Sequence, residues 1–321
     1  MSVPSVNREA MKIVREICAK PEKYNVIIKR NSSGAFIIDA GINAKGGFLV
    51  GKLITEICLG GLGEAYFSSM KMSEIELPSI VVYTDHPAIS TLGSQLAGWK
   101  IRTGNYMAIG SGPARALALK PKKIYSKIKY KDDANEAVLV LEASEEPPEE
   151  VAKIISTSCR ISPENLFLIL APTASVAGLT QISGRIVETG IHKLVELGLE
   201  PNLISYAWGQ APILPVHPNN IESMGRANDA ILYGGMAHYV VSHEDDAYLR
   251  SLVERAVSLV SKDYGKPFSE IYEVAGQDFY KIDPKIFAPA KVAITNEKSG
   301  KTFVAGRINE KILLKSIGFS S

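Results

Sequence analysis

Residues 166–194 have the sequence LFLILAPTASVAGLTQISGRIVETGIHKL. The apolar run Leu166–Leu170 is typical of a buried strand, and small, apolar and hydroxyl residues follow it. A helical pattern then begins. The stretch therefore passes from a buried strand into a helix, which is where α/β proteins usually place their sites.

The predicted helix has two different faces. At about 100° per residue, Arg185 and Glu188 share one face and their side chains can meet, because they are three residues apart. Gly184 and Gly190 destabilise a helix unless something approaches it closely, which favours a functional site. A solvated ion pair is the structural alternative, and the spacing leaves both interpretations open. The polar face contains Gln181, Arg185, Glu188 and His192, and the apolar face contains Ile186, Val187, Gly190, Ile191 and Leu194.

Strands and helices alternate along the rest of the chain. Ile80–Thr84, Tyr106–Ile109 and Ala137–Leu141 are short apolar runs typical of buried strands, with helical segments between or after them. The sequence therefore predicts an α/β fold with α+β layers. The acidic, proline-containing stretch 142–150 predicts a boundary between lobes 1–145 and 151–321, which can still be interleaved.

The composition narrows the function classes. The chain has 321 residues and a net charge of +2, a poor match to nucleic acid, which requires a concentrated basic face. Cys18, Cys58 and Cys159 lie far apart and form no thiolate metal motif, and the histidines lack metal-ligand spacing, so we expect no metal site. Without a signal-peptide core or a membrane-spanning run, the predicted location is the cytoplasm.

Residues 120–131, KPKKIYSKIKYK, are the one basic stretch. From Ile124 the residues alternate between apolar and lysine-rich positions. This alternation predicts an edge strand whose lysines prevent pairing with other chains. An anion-binding role is the alternative interpretation.

Two further stretches have the pattern of a site. In Met107–Leu117 an apolar strand runs into Gly110-Ser-Gly112 and then Pro113, which would expose N–H groups to an anion. Gly225–Gly235 repeats the spacing of glycine, arginine and acid with Arg226 and Asp229. The alternatives are a plain strand-to-helix turn and a helix ion pair.

Together these three stretches resemble methenyltetrahydromethanopterin cyclohydrolase of methanogenic and related archaea. Supporting segments are Ser94–Trp99, Val216–Pro218 and Gly276–Tyr280. The resemblance covers essentially the whole chain. It implies a two-lobed α/β subunit with a family-specific fold, a large cleft between the domains and a homotrimer.

The resemblance also implies reversible hydrolysis of the methenyl bridge to the formyl form, without metal, nucleotide or other cofactor. The formyl group would remain on the pterin ring nitrogen. The catalytic arginine and glutamate of the family correspond to Arg185 and Glu188. The carboxylate of Asp229 would accept paired hydrogen bonds from the pterin edge. The other predicted substrate-binding residues are Gln95, Trp99, Ser111, Gly112, Arg115, Thr173, Ser175, Gln181, Ser183, Arg226, Asn228 and Asp278.

The residue chemistry fits this reaction. The substrate carbon lies between two nitrogens as an amidinium-like cation, so the enzyme must supply an oriented water and a base. Glu188 can take and return a proton, while Arg185 holds its carboxylate in place. A formyl or methylene transferase and a non-catalytic pterin-binding protein are the alternative functions.

Overall fold

The structure is a computed structural model that describes residues 3–319; Met1, Ser2, Ser320 and Ser321 lie outside the described residues. Strands and helices are numbered in chain order. The strands are β1 (Ile27–Arg30), β2 (Phe36–Asp39), β3 (Gly63–Met72), β4 (Ile75–Thr84), β5 (Trp99–Thr103), β6 (Tyr106–Ser111), β7 (Ala137–Glu142), β8 (Leu166–Leu170), β9 (Ile204–Pro212), β10 (Met236–Val241), β11 (Lys291–Asn296) and β12 (Thr302–Gly306). The α-helices are α1 (Val6–Ala19), α2 (Pro21–Tyr24), α3 (Phe48–Cys58), α4 (Ala114–Ala118), α5 (Lys122–Ile128), α6 (Glu149–Cys159), α7 (Val176–Ser183), α8 (Ile186–Glu196), α9 (Asn220–Leu232), α10 (Asp246–Arg255), α11 (Phe268–Val274) and α12 (Glu310–Ser316).

The chain forms two compact units that are interleaved in sequence. Unit 1 comprises the residues up to Glu64 and Ala88–Gln181, and unit 2 comprises Ala65–Pro87 and the residues from Ile182 onward. Each unit contains one six-stranded mixed sheet. The α/β class with α+β layers, expected from the sequence, is confirmed.

Unit 1 is built on a sheet of order β1-β2-β8-β7-β6-β5. Its central strands β7 and β8 are parallel and almost wholly buried, which explains their continuous apolar runs. Successive side chains alternate between two cores. Val138 and Val140 pack with α1 and α3 residues, whereas Leu139 and Leu141 pack with α6 residues such as Ile155.

Unit 2 is built on a sheet of order β12-β11-β10-β9-β4-β3. Helices including α8, α9 and α10 contact its strands. Alternate residues of β9 and β10 are buried, as expected for strands that are covered on one face. On the opposite side, Tyr83, Trp208 and Val304 are exposed.

The predicted lobe boundary at 142–150 differs from the observed division. Strands β7 and β8, on either side of this stretch, pair in one sheet, so the acidic stretch is a connection within unit 1 that leads into α6. The division in this part of the chain falls between Gln181 and Ile182. The acidic, proline-containing composition correctly indicated an exposed connection. It could not show that the strands on either side of this connection pair with each other.

Residues 124–131 do not form the predicted edge strand. Helix α5 occupies Lys122–Ile128, with Tyr125 and Ile128 buried three residues apart on one side. Lys129 then adopts a left-handed conformation that ends the helix. Over so short a segment the same residues fit both an alternating and a helical pattern. The helix forms because its spacing buries the apolar side chains on one side.

Candidate active site

Helix α8 lies unusually close to the sheet of unit 2 because glycines occupy the points of contact. A Cβ on Gly235 would come within 2.4 Å of Ile186 Cδ1, and one on Gly209 within 3.1 Å of Ile186 Cγ2. A Cβ on Gly190 would lie only 1.9 Å from the Tyr239 hydroxyl. These three glycines therefore allow the start of α8 to pack directly on β9 and β10.

Tyr239 fixes the first turn of this helix. Its side chain is completely buried, and its hydroxyl donates a 3.1 Å hydrogen bond to the carbonyl oxygen of Val187. Burial raises the pKa of Tyr239 well above its ordinary value, and the negative charge of Glu188 adds to the rise. The hydroxyl is therefore a neutral donor at the helix start, within electrostatic range of Glu188.

Arg185 and Glu188 occupy neighbouring positions at this helix start. Arg185 is the N-cap residue of α8, and Glu188 is the third residue of its first turn. Their exposed fractions are 8% and 5%. Burial contradicts the solvated ion pair that was the structural alternative, because both charged groups have been taken out of bulk water. Buried charges of this kind are typical of functional sites.

The helix that the sequence predicted is interrupted. Helix α7 ends at Ser183 and α8 begins at Ile186, with Arg185 in a non-helical conformation between them. Gln181 and Arg185 therefore do not share one continuous helix face, as the spacing had suggested. The Ser183 hydroxyl donates to the carbonyl oxygen of Pro212 at 2.8 Å and ties the interruption to the end of β9.

Gln181 is the last residue of unit 1 and is only 1% exposed. Its Oε1 atom is buried and has no hydrogen-bond partner among the described residues. A buried amide oxygen without a partner is uncommon in native proteins, and it is a candidate acceptor for a ligand or an ordered water.

The loop after β8 is organised by Ser175. Its hydroxyl donates to Pro172 O at 2.7 Å and accepts from Gly178 N at 3.0 Å, so it starts α7. Thr173 donates to the carboxylate of Glu142 at the end of β7. A Cβ on Gly51 of α3 would lie 2.6 Å from Thr180 Cβ, so α3 and α7 pack closely. Two predicted site residues, Thr173 and Ser175, thus hold this loop at the carboxyl edge of the sheet.

Asp39 is a residue of this edge that the sequence interpretation missed. Its carboxylate accepts four backbone N–H hydrogen bonds, from residues 41–44, at 2.7–3.1 Å. Burial acts to raise the pKa of Asp39, but the four donors together hold it below its ordinary value. A Cβ on Gly41 would lie 2.7 Å from Ser175 Oγ, so the Asp39 loop packs against the loop after β8. The sequence feature that could have indicated this residue is an acidic residue directly before Ala-Gly at the end of a strand.

The turn from β6 into α4 brings several predicted residues together in unit 1. The carbonyl oxygen of Ser94, which precedes Gln95 in a π-helical stretch, accepts from Gly112 N at 2.9 Å and from Arg115 Nη1 at 2.8 Å. The N–H of Gly112 is therefore not available to an anion, contrary to the prediction that this turn would expose its N–H groups. Ser111 Oγ lies 3.6 Å from the thiol of Cys58.

Arg115 is completely buried, and its guanidinium donates to the carbonyl oxygens of Leu92, Ser94 and Lys120. These bonds give Arg115 a structural role that holds the π-helical stretch and the end of α4. Trp99, at the start of β5, is also buried and belongs to the core beside β7. The sequence could not distinguish these structural residues from substrate contacts.

Asp229 is likewise a structural residue of unit 2. It has no exposed surface, and its oxygens accept from Phe268 N at 2.9 Å and Ser316 Oγ at 2.6 Å, which joins α9 to α11 and α12. Burial raises the pKa of Asp229 to about 7. Both oxygens are used within the chain, so this carboxylate is not available for the predicted paired hydrogen bonds to a pterin edge.

The neighbouring predicted residues also bond to the backbone. Arg226 Nε donates to Ser316 O, Asn228 Nδ2 donates to Met224 O, and Asp278 accepts from Tyr280 N. Arg226, Asn228 and Asp278 keep partial exposure.

Among residues 3–319, no three His, Cys, Asp or Glu side chains converge as metal ligands would. Within the same range, none of the helices has the length and apolar character needed to span a membrane.

The fold and the buried pair at α8 define an α/β protein whose candidate active site has a carboxylate and a guanidinium as its charged groups. The chain belongs to the family described as Cyclohydrolase (MCH), whose model matches residues 5–317. The relatives that match it include proteins named methenyltetrahydromethanopterin cyclohydrolase. One from Methanocaldococcus jannaschii is 46% identical over 98% of this chain and 99% of its own length.

Two more relatives with this name come from other archaeal genera. The protein of Methanothermobacter marburgensis is 45% identical, with 98% of this chain and 99% of its own covered. The protein of Methanosarcina mazei is 42% identical, with 98% of each chain covered. The family expected from the sequence is confirmed.

Proposed function

We propose that this chain catalyses the reversible hydrolysis of the methenyl bridge of methenyltetrahydromethanopterin, leaving the formyl group on the pterin ring nitrogen. The names of the near-full-length relatives support the reaction. The observation that carries the proposal for the site is Glu188, a carboxylate only 5% exposed beside Arg185 at the start of a tightly fixed helix.

Glu188 acts as the base in this proposal. A water molecule adds to the cationic methenyl carbon as one of its protons passes to Glu188, forming a C–O bond. The adduct then collapses: its hydroxyl proton leaves, a carbonyl forms, one C–N bond breaks and the departing nitrogen takes a proton. One proton is released overall. A carboxylate that takes and returns a proton suits both directions of this reaction.

Arg185 acts through Glu188 rather than on the reacting carbon. A guanidinium is permanently charged, and the methenyl carbon is cationic, so direct attraction between them is excluded. Its proposed task is to orient the carboxylate and to favour its ionised form. Since both groups are taken from water, their interaction is screened much less than that of a surface pair.

The substrate contacts are proposed for the predicted residues that keep bonding capacity. Gln181 contributes a buried oxygen without a partner among the described residues, which makes it the first choice. Thr173, Ser175, Ser183, Ser111 and Gln95 lie at or next to the loops at the ends of β6 and β8, and Arg226, Asn228 and Asp278 keep partial exposure. The reaction is proposed to need no metal or cofactor, because the substrate carbon is already electrophilic. A cytoplasmic location remains a proposal as well.

A homotrimer is also proposed, and the uncovered face of the unit 2 sheet supports self-association. The strand register aligns Tyr83, Trp208, His238, Ala293 and Val304 in a row across five strands. A contiguous apolar and aromatic surface of this kind is typical of protein interfaces. Light scattering on Trp208→Lys tests this. We expect a change from trimer to smaller species, and an unchanged trimer would exclude this face as the contact.

The proposed reaction is tested by following the loss of the methenyl ultraviolet absorbance in buffer, with protein and no other substrate. We expect acceleration by the wild-type chain. Glu188→Gln should retain substrate binding and lose two to four orders of magnitude in turnover, a typical cost of removing a general base. Glu196→Gln, on the exposed end of the same helix, is the matched control and should remain active.

The same assay separates the alternatives. A formyl or methylene transferase would accelerate the absorbance loss only after a second substrate is added. A non-catalytic pterin-binding protein would not accelerate it at all. Turnover of Glu188→Gln near that of the wild type would remove this residue from the mechanism.

A further inference from the structure

The lysines of the basic stretch 120–131 need a different explanation from the one that the sequence suggested. Its lysines cannot protect a sheet edge, because Lys122–Ile128 form helix α5. Six lysines nevertheless occupy twelve consecutive positions. Like charges placed so close together repel one another, and a bound anion would relieve this repulsion.

Protein carboxylates do not supply this counter-charge. Among the described residues, none of the six lysines forms an ion pair within 4.0 Å, whereas Lys29, Lys52 and Lys298 elsewhere each pair with a glutamate. The two nearest acids in sequence have other partners. Asp132 accepts from Asn7, and Asp133 pairs with Arg8 at 2.9 Å.

A cavity of about 330 Å³ lies beside these lysines. Lys122, Lys129 and Lys131 line it together with Tyr125 and Tyr130. The hydroxyls of both tyrosines are tied inward, Tyr125 to Gly93 O at 2.8 Å and Tyr130 to Pro4 O at 2.9 Å. The tyrosine side chains are nearly buried, so aromatic rings form the base of a cavity with ammonium groups around it.

The backbone at this cavity is strained at a lysine. Lys129 has φ 52°, a left-handed conformation that favours glycine at the residue after a helix. Leu119, which also lines the cavity, has φ 51°. A lysine at a position suited to glycine costs folding free energy, and strain of this kind often accompanies a functional site.

We propose that this cavity binds a diphosphate group, with Lys122, Lys129 and Lys131 contacting the phosphate oxygens. Lysine is a common phosphate-binding residue, and a cavity of this volume falls within the range of small-molecule sites. The diphosphate could be free or part of a nucleotide, whose planar base would contact the tyrosine rings. The proposal does not depend on the cyclohydrolase reaction.

The test is calorimetric titration of the full chain with inorganic pyrophosphate and, separately, with ADP, at a constant ionic strength of about 0.15 M. We expect saturable binding of at least one ligand, one per chain, and the tighter one identifies the source. The variant Lys122→Gln/Lys129→Gln/Lys131→Gln should bind at least about tenfold more weakly, since the loss of one charged hydrogen bond has that effect.

A matched variant, Lys153→Gln/Lys285→Gln/Lys311→Gln, removes the same charge from exposed lysines elsewhere and should keep the affinity. Equal weakening in both variants, or no saturable binding of either ligand, would overturn the proposal. Lys129→Gly gives an independent check, because it relieves the strained conformation. We expect a higher melting temperature without ligand but weaker binding, and unchanged binding would contradict the assignment of Lys129.

Discussion

The contact between Gly190 and Tyr239 allows a sharp test of how α8 is held. In Gly190→Ala the new Cβ would lie 1.9 Å from the Tyr239 hydroxyl, whereas ordinary contact begins at 3.4 Å, so the helix and the ring must separate by about 1.5 Å. The ring is completely buried and its hydroxyl is bonded to Val187 O. The helix start, with Glu188, is therefore expected to move.

Two opposing effects set the magnitude. Overpacking of a core typically costs about 1–3 kcal/mol, and loss of the Tyr239 hydrogen bond about 1 kcal/mol. Alanine is about 1 kcal/mol better than glycine inside a helix, which offsets part of this. We expect Gly190→Ala to lose about 2 kcal/mol of unfolding free energy. Turnover should fall about a hundredfold, as expected when a catalytic group is displaced by an ångström.

The second variant, Tyr239→Phe, removes the obstructing oxygen. The atom nearest to the Cβ introduced by Gly190→Ala then becomes Cζ of the ring at position 239, at 2.9 Å, so the separation required falls from about 1.5 Å to about 0.5 Å. The double variant should therefore be less destabilised than the sum of the single variants, by about 1–2 kcal/mol. Urea unfolding and turnover are measured on all three, with Thr189→Ala as the control on the same helix. A stable, fully active Gly190→Ala, or strictly additive losses, would refute the close contact.

Three more predictions concern the buried pair at α8, the proposed metal independence and the buried Asp229. Arg185→Ala should lower turnover and move the pH-rate profile to higher pH, and its loss should not add to that of Glu188→Gln; additive losses with an unshifted profile would show that the two residues act separately. Treatment with a strong chelator should leave activity unchanged, and a loss restored by zinc or iron would contradict the proposed metal independence. Asp229→Asn should flatten the dependence of stability on pH. The folded-state pKa of Asp229, about 7, lies above the unfolded value of 3.8, so the folded protein holds an extra proton in that window and loses up to about 1.4 kcal/mol per pH unit as pH rises through it. Equal slopes for wild type and Asp229→Asn in chemical unfolding would exclude this titration.

Local patterns predicted the elements of the fold well. The apolar runs Ile80–Thr84, Ala137–Leu141 and Leu166–Leu170 all lie in strands. The last two are buried on both faces of their sheet, which requires such unbroken apolar runs. Ser5 before an apolar stripe predicts a helix cap, and Asn31-Ser-Ser-Gly34 predicts a hairpin turn. Ser5 does cap α1 by accepting from Arg8 N, and residues 31–34 join β1 to β2. These features depend on residues that are close in sequence, so single-sequence reasoning reaches them.

Other features depend on partners far away in the chain. Apolar periodicity predicts one long amphipathic helix over about residues 244–262. The helix is shorter, Asp246–Arg255, and Ser258–Val260 form a turn of 3-10 helix. The burial of Glu188 depends on how closely α8 packs on its sheet, and thus on Gly209, Gly235 and Tyr239. Arg115 and Asp229 looked like substrate contacts because their backbone and side-chain partners could not be seen from spacing.

The interleaved order of the two units has a consequence for synthesis. Strand β4 leaves the ribosome early and pairs with β9, for example through Tyr83 and Trp208. Strand β9 is made only after all of unit 1 has been translated, because unit 1 ends at Gln181. Unit 1 can complete its sheet once β8 has emerged, while Ala65–Pro87 remains without its sheet partner. The nascent chain must therefore keep β3 and β4 from pairing with other chains until unit 2 is finished. A ribosome stalled before residue 204 should carry a folded first sheet and a protease-sensitive segment at 65–87.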